Sequence, residues 1–232
     1  MQADPEIAIS ELLKVMAHDL RNPLSALVTN LHYLKGSAER LDADSQEALA
    51  DSVSLCDVLE RLITNLDIVA RAEQEKPKNR FPISLCQVAQ SIVQRNQHQA
   101  TSAGLELCLL PASDGDLMVV VERDMFSRAA ENLVANALEH APVGSQVKVE
   151  VAARGKDASL NVMDISPAVP SELRKQAVSF AGQARHLRRA ESRYGRGLGL
   201  LCADLAARAA GARVELDGNS RESVLRLVAP IG

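Results

Sequence analysis

Apolar residues recur at steps of three and four in the N-terminal part of the chain, at Ile9, Leu13, Met16, Leu20, Leu24, Leu27, Leu31 and Leu34. That is the period of a helix packing along one side in a bundle or coiled coil. Asp4 and Pro5 suit an N-cap and a first helical turn, so the first helix is predicted to begin there and run to about Gly36. A second run, Leu49, Val53, Cys56, Leu59, Ile63, Leu66 and Val69, repeats the pattern after the polar stretch 41–45. The pair predicts a helical hairpin. Two helices cannot enclose stripes this long, so a symmetric homodimer closing a four-helix bundle is expected.

His18 stands off the stripe. It lies two residues, about 200° of helical rotation, from both Met16 and Leu20, which points the imidazole toward solvent or a partner. Taken singly it reads as an ordinary surface histidine, and Pro23 as a helix terminator. The surrounding heptapeptide, His18-Asp19-Leu20-Arg21-Asn22-Pro23-Leu24, changes that reading. It sets an imidazole beside a carboxylate, a guanidinium and an amide, the parts needed to move a phosphoryl group. Pro23 has no N–H for the carbonyl of Asp19, so a helix that continues through it must bend about one turn beyond the histidine. The heptapeptide resembles the phosphoacceptor box of two-component sensor histidine kinases, His-Glu/Asp-Leu/Ile-Arg/Lys-Thr/Asn-Pro-Leu, and conforms at every position.

Composition narrows the class. A formal net charge of −4 and a pI near 5.8 argue against a general nucleic-acid binder, which carries a basic surplus. Cys56, Cys86, Cys108 and Cys202 are widely separated, with no Cys-x-x-Cys pair, so reduced apolar thiols are expected rather than a metal staple or a disulfide framework. No apolar run approaches the roughly 20 residues needed to span a bilayer. A cytoplasmic segment without membrane contact is therefore the expectation.

After Arg71 the stretch 72–80 is polar, charged and proline-containing, and it breaks the periodicity. The predicted organisation is a dimerisation and phosphotransfer hairpin over 1–73, a linker over 74–80 and a second domain over 81–232. In the second domain helix-like stretches (85–100, 123–141, 198–210) alternate with strand-like runs (105–110, 117–121, 146–152, 159–163, 214–216, 224–228). The fold class is α+β, with the hairpin followed by an α/β sandwich whose mixed sheet carries helices on one face.

Three motifs in this domain point to a nucleotide. Asn132, Asn136 and His140 fall four residues apart and share a helical face. Amide oxygens there suit a Mg²⁺ that leans on substrate phosphates. Alternating glycines in Gly195-Arg196-Gly197-Leu198-Gly199 precede an apolar helical stretch, and a helix N-terminus behind glycines favours anions. Asp164 closes a strand-like run at Asp164-Ile165-Ser166-Pro167-Ala168-Val169-Pro170. The first two resemble the N and G2 boxes of the histidine kinase ATP-binding domain. The third aligns with its G1 box, Asp-x-Gly-x-Gly-Ile/Val-Pro, but Ser166 and Ala168 replace both glycines. Glu139 stands where the family commonly carries a cation, and Arg185, His186, Arg188, Arg189, Arg193 and Arg196 form a basic run just before and within the glycines.

The resemblance covers nearly the whole chain, in the family's order, and implies a domain of the histidine kinase, gyrase and chaperone type. By it, Asn132, Asn136, His140, Asp164, Arg193, Gly195, Gly197, Leu198 and Gly199 hold Mg·ATP, with Asn136 on the magnesium. His18 takes the γ-phosphoryl, Asp19 orients or deprotonates the imidazole, and a response regulator receiver aspartate receives the phosphoryl next. Asn22 is placed for phosphatase action on that regulator. The attack needs an unprotonated ring nitrogen, so activity is expected to fall at low pH. The altered G1 box and Glu139 support a second reading, a nucleotide-impaired pseudokinase serving as a dimeric docking module. An ATPase related to gyrase and chaperones is a third, disfavoured because it leaves the phosphoacceptor box unexplained.

Overall fold

The computed structural model describes residues 5–36, 41–71, 79–112, 115–179 and 198–232, and the chain divides into two compact units, Met1–Glu73 and Gln74–Gly232.

The first unit is a pair of long helices, α1 (Pro5–Lys35) and α2 (Ala43–Arg71), packed against each other. Helix α1 continues through Pro23, whose missing N–H removes the helical donor for the Asp19 carbonyl. Asp42 starts α2: its side chain accepts from the Ser45 N–H at 2.8 Å, and its carbonyl from Gln46 N–H at 2.9 Å. Those Ser45 hydrogen bonds hold the Asp42 carboxyl below the usual carboxylate range.

The apolar stripe expected along α1 divides into two. Ala17 and Leu24 are buried with Cys56 and Ile63 of α2, and Val28, Leu31 and Leu66 pack beside them. Met16, Leu20, Leu27 and Leu34 remain 46–49% exposed, as do Leu55 and Leu59 on α2 at 45% and 46%. At 100° per residue the exposed row of α1 lies about 75° from its buried seam, and that of α2 about 70° from Cys56 and Ile63 in the same sense. In an antiparallel hairpin both rows therefore open on one side.

The second unit is built on a five-stranded mixed sheet in the order β2-β4-β5-β7-β6. The strands are β2 (Glu106–Leu109), β4 (Gln146–Arg154), β5 (Asp157–Asp164), β6 (Arg213–Gly218) and β7 (Ser223–Pro230). Only the β2–β4 pair is parallel. A separate antiparallel pair joins β1 (Phe81–Ser84) to β3 (Met118–Val121). The sequence pattern predicts no strand at β1, which is four residues long and contains Pro82, and it does not separate β3 from the main sheet. The linker's residues 74–78 lie outside the described residues.

Helices α3 (Leu85–Ser102), α4 (Arg123–His140) and α6 (Gly199–Ala210) cover one face of the sheet; α5 (Arg174–Ala177) is a single turn following a 3₁₀ turn at Ser171–Leu173. Alternation along β4 explains the layering: Val147, Val149 and Val151 are buried, while Lys148 is exposed and Glu150 half-buried. Phe126 and Leu133 of α4, Leu160 of β5, Leu201 of α6 and Leu227 of β7 complete the core. Ser84 caps α3 by accepting from the Gln87 N–H at 3.0 Å, and Glu122 caps α4 by accepting from Met125 at 2.8 Å and Asp124 at 3.2 Å. Gly211 ends α6 at φ +86°, and the Arg80 guanidinium occupies the space a Cβ would take there.

All four cysteines are free thiols. Burial pushes the Cys202 thiol up to about 12, and desolvation is also the main cause raising Cys56, Cys86 and Cys108.

Leu133 is fully buried between the sheet and its neighbouring helices. Leu133→Ala is expected to lower the stability of the second unit by about 2–5 kcal/mol, measured by urea unfolding, with a reduced midpoint and an unchanged slope.

Candidate functional site

His18 and Asp19 are on the open surface of α1, with side chains 71% and 73% exposed. His18 Nδ1 lies 3.3 Å from Asp19 Oδ1. With its proton on Nδ1 directed at that carboxylate, a neutral imidazole keeps the lone pair of Nε2 free for a substrate. Measured round the helix, His18 is about 110° from the buried seam and nearly opposite the exposed apolar row. Asn22 is exposed one turn further along, about 40° away. Imidazole, carboxylate and amide thus share the polar side of α1, and both apolar faces are directed elsewhere.

In the second unit the three residues spaced along α4 have graded burial. Asn132 is 3% exposed, and its Nδ2 donates to the Arg128 carbonyl at 3.0 Å; Asn136 is half-buried; His140 is exposed in the last turn. Helix α6 packs on α4 with its N-terminus at this row. A Cβ built on Gly199 would lie 3.9 Å from Asn136 Nδ2 and 4.0 Å from the Asn132 carbonyl oxygen. Leu198 occupies the N-cap position of α6 without a side-chain cap. The first amides of a 12-residue helix, fronted by a glycine and flanked by an amide side chain, suit an anion with a divalent cation beside it. Arg193, Gly195 and Gly197 lie outside the described residues, as do Arg185, His186, Arg188, Arg189 and Arg196.

Asp164 is the last residue of β5, a strand that also packs against α4, and is 3% exposed. Its Oδ1 accepts the Ser166 N–H at 2.7 Å, closing a side-chain turn. Ser166 is buried, and the Ala168 N–H donates to the Asn219 carbonyl at 2.9 Å. Among the described residues no non-glycine takes a positive φ. The turn therefore runs through Ser166 and Ala168 without the backbone conformation that glycine alone tolerates, and their side chains add bulk rather than strain. Glu139 is exposed.

The structure brings together Asn132, Asn136, Leu198 and Gly199, and seats Asp164 at the end of a strand beneath the same helix. Sequence spacing did not single out Arg174, Asp217, Gly218 and Arg226, which tie the Asp164 turn to the β6–β7 hairpin. Arg174 and Asp217 are 43 residues apart, and no linear pattern connects them.

Two family models match this chain. Residues 8–75 match "His Kinase A (phospho-acceptor) domain", and residues 121–231 match "Histidine kinase-, DNA gyrase B-, and HSP90-like ATPase". The chain belongs to the two-component histidine kinase family. Among curated relatives, Sensor protein kinase PmrB of Pseudomonas aeruginosa is 30% identical over 67% of this chain and 32% of its own length. Sensor-type histidine kinase PrrB of Mycobacterium leprae is 26% identical over 93% of this chain and 47% of its own. The chain thus spans a third to a half of the length of these relatives. Among solved structures, full-length ShkA in complex with AMPPNP superposes with a TM-score of 0.63 at 18% identity, over 96% of this chain and 46% of that one. Acinetobacter baumannii histidine kinase AdeS superposes with a TM-score of 0.57 at 18% identity, over 93% of this chain and 98% of that one. These likenesses establish the histidine kinase core fold. Among the described residues no helix is long and apolar enough to cross a membrane.

Gly199 has room for a methyl group, since its nearest neighbours would be in ordinary contact and its φ is not positive. Gly199→Ala is expected to raise stability by about 0.4–1 kcal/mol in urea unfolding. It is also expected to weaken Mg·ATP binding in calorimetric titration, because the methyl fills the gap between the helix amides and Asn136.

Proposed function

We propose that this chain is an ATP-dependent protein-histidine kinase core that phosphorylates His18 and passes the phosphoryl group to the receiver aspartate of a response regulator. The observation that carries this reading is His18 itself: an exposed imidazole whose Nδ1 is engaged by Asp19, leaving Nε2 as the nucleophile. Asn132, Asn136, His140, Asp164, Leu198 and Gly199 are the described residues that hold the nucleotide, joined by Arg193, Gly195 and Gly197. The Asn136 amide oxygen would hold a magnesium ion, which would supply positive charge against the negative charge developing on the transferring group.

The Nε2 lone pair of His18 attacks the γ-phosphorus, and the bond from phosphorus to the β–γ bridging oxygen breaks, so ADP leaves with that electron pair. The ring then carries one proton too many, and Asp19 accepts it from Nδ1. In the next step a receiver carboxylate attacks the same phosphorus, the P–N bond breaks with its electron pair going to Nε2, and the proton held by Asp19 returns to Nδ1, so the imidazole leaves neutral. Asn22, on the same side of α1, orients a water for the opposing reaction, hydrolysis of the phosphorylated regulator, which frees the receiver carboxylate and releases inorganic phosphate. ATP and receiver domains are cytoplasmic, and the segment works there.

The functional unit is a homodimer. Met16, Leu20, Leu27, Leu34, Leu55 and Leu59 form a one-sided apolar face that a second copy covers by closing a four-helix bundle. Leu20→Lys combined with Leu27→Lys puts two charges per protomer on that face, while the seam at Ala17 and Leu24 is untouched. Light scattering is expected to show a monomer of retained helicity, with dimer affinity lowered by at least about a hundredfold. A dimer that survives both changes would assign the face to another role.

His18→Ala is expected to abolish transfer of ³²P from γ-labelled ATP to the chain, with Mg·ATP binding unchanged in calorimetry. The label on the parent protein is expected to be acid-labile and base-stable, as phosphohistidine is. Labelling retained in the variant would put the acceptor elsewhere. A parent chain that binds no Mg·ATP at millimolar nucleotide would favour the pseudokinase reading, which the altered G1 box supports.

A further inference from the structure

Three polar contacts fasten the turn leaving Asp164 to the β6–β7 hairpin, and two more, one on each side, hold the groups that make them. Arg174 donates from Nε to the Val169 carbonyl at 3.1 Å and from Nη2 to the Gly218 carbonyl at 3.1 Å. Its Nη1 stands 3.4 Å from Asp217 Oδ1. Arg226 holds the other oxygen of Asp217 at 2.6 Å, and the Ala168 N–H reaches the Asn219 carbonyl at 2.9 Å. Apolar contact completes the join: Gly218 sits at φ +109°, and a Cβ there would meet the Glu222 carbonyl oxygen and come within 2.9 Å of the Ala168 methyl. The residue standing in place of a G1-box glycine is thus packed on a glycine of the hairpin.

We propose that Arg174 is a positioning residue for the nucleotide: by bridging Val169, Gly218 and Asp217 it braces the Ser166–Ala168 turn on the β6–β7 hairpin and holds Asp164 for its ligand. This rests on the reading above that Asp164 is one of the residues that hold the nucleotide. Only a planar fork of several donors serves a carboxylate and two carbonyls in three directions, and a lysine ammonium cannot reproduce it. The hydrogen bond from Arg226 first, then the Gly218 N–H, with the charges of Arg226 and Arg174 adding, hold the Asp217 carboxyl below the usual range, so the brace is charged at neutral pH. Arg174 and Arg226 are only 28% and 22% exposed, which limits screening by salt.

The test uses the full chain in three forms, Arg174→Ala, Arg174→Lys and, as a control, Arg213→Ala. The control breaks contacts to Glu215 and Asp157 that do not involve the Asp164 turn. Amide hydrogen exchange without nucleotide reads the brace directly. In Arg174→Ala the Ser166 and Ala168 amides are expected to exchange at least about tenfold faster, with core amides of β4 and β5 unchanged. In autophosphorylation the KM for Mg·ATP is expected to rise about tenfold with kcat within about twofold, because a pre-positioned contact is lost equally from ground and transition states. Arg174→Lys is expected to fall between Arg174→Ala and the parent, and Arg213→Ala to match the parent in both readouts. Unchanged exchange at Ser166 and Ala168 overturns the brace. Faster exchange with an unchanged KM, or a kcat loss without a KM change, overturns its role toward the nucleotide. General loss of protection in both Arg174 variants reduces Arg174 to a fold residue and overturns the proposal. A parent chain with protected Ser166 and Ala168 amides that binds no Mg·ATP overturns the kinase reading, and the positioning role with it, while leaving the brace as structure.

Discussion

The second unit depends on how closely α4 and α6 approach each other. Both helices offer buried alanines: Ala129 on the Asn136 side of α4, and Ala203, Ala206, Ala207 and Ala210 on α6. The separation of packed helices follows the side chains between them, and alanine permits a short one. That approach brings the N-terminus of α6 to the polar row of α4, where Gly199 and Asn136 meet. Phe126 and Leu133 anchor α4 to the sheet and fix the height of this junction over β5, whose last residue is Asp164. A pair of helices with leucines between them would pack as well and would set the amides further from Asn136.

Period and punctuation made the hairpin and most of the sheet legible. The starts of α1 and α2 follow Pro5 and the Asp42 cap, and the strand pattern of 146–152 is the buried, exposed alternation of β4. The apolar stripe of α1 is where reading by period failed, because steps of three and four do not separate two adjacent faces of one helix. Ala17 closes the seam against α2 while Leu20, larger and more apolar, stays exposed, an assignment made by contact with α2 rather than by hydrophobicity. Strand β1 was invisible for another reason: four residues with a proline gain their register only from β3, some 35 residues further on.

For the site, chemistry that is local in sequence was readable and chemistry that crosses the fold was not. Asn132, Asn136 and His140 announce a shared face by spacing alone, and the glycines of 195–199 announce the start of α6. Arg174 announces nothing, since its meaning lies in Val169, Asp217 and Gly218, which only the β6–β7 pairing brings to it. The missing glycines likewise look different in three dimensions. By sequence they remove freedom from a loop; in the fold, Ser166 and Ala168 sit in ordinary backbone conformations, with the Ala168 methyl set against Gly218.

On the function proposed for it, the first unit solves a separate problem, which is to offer a nucleophile on a helix that must also be held on two sides. Three directions are in use round α1: the seam toward α2, the apolar row about 75° away, and His18 nearly opposite that row. A partner helix covering the apolar row therefore leaves the imidazole open. Pro23 sits one turn beyond and removes a backbone bond at the Asp19 carbonyl, on the stretch that carries both the acceptor and its proton partner. The same stretch would lose its independence if the histidine lay on the seam, where a phosphoryl group would have to displace packed side chains. On the proposed function, placing it on the third direction lets packing stay fixed while the ring changes charge and bulk with each transfer.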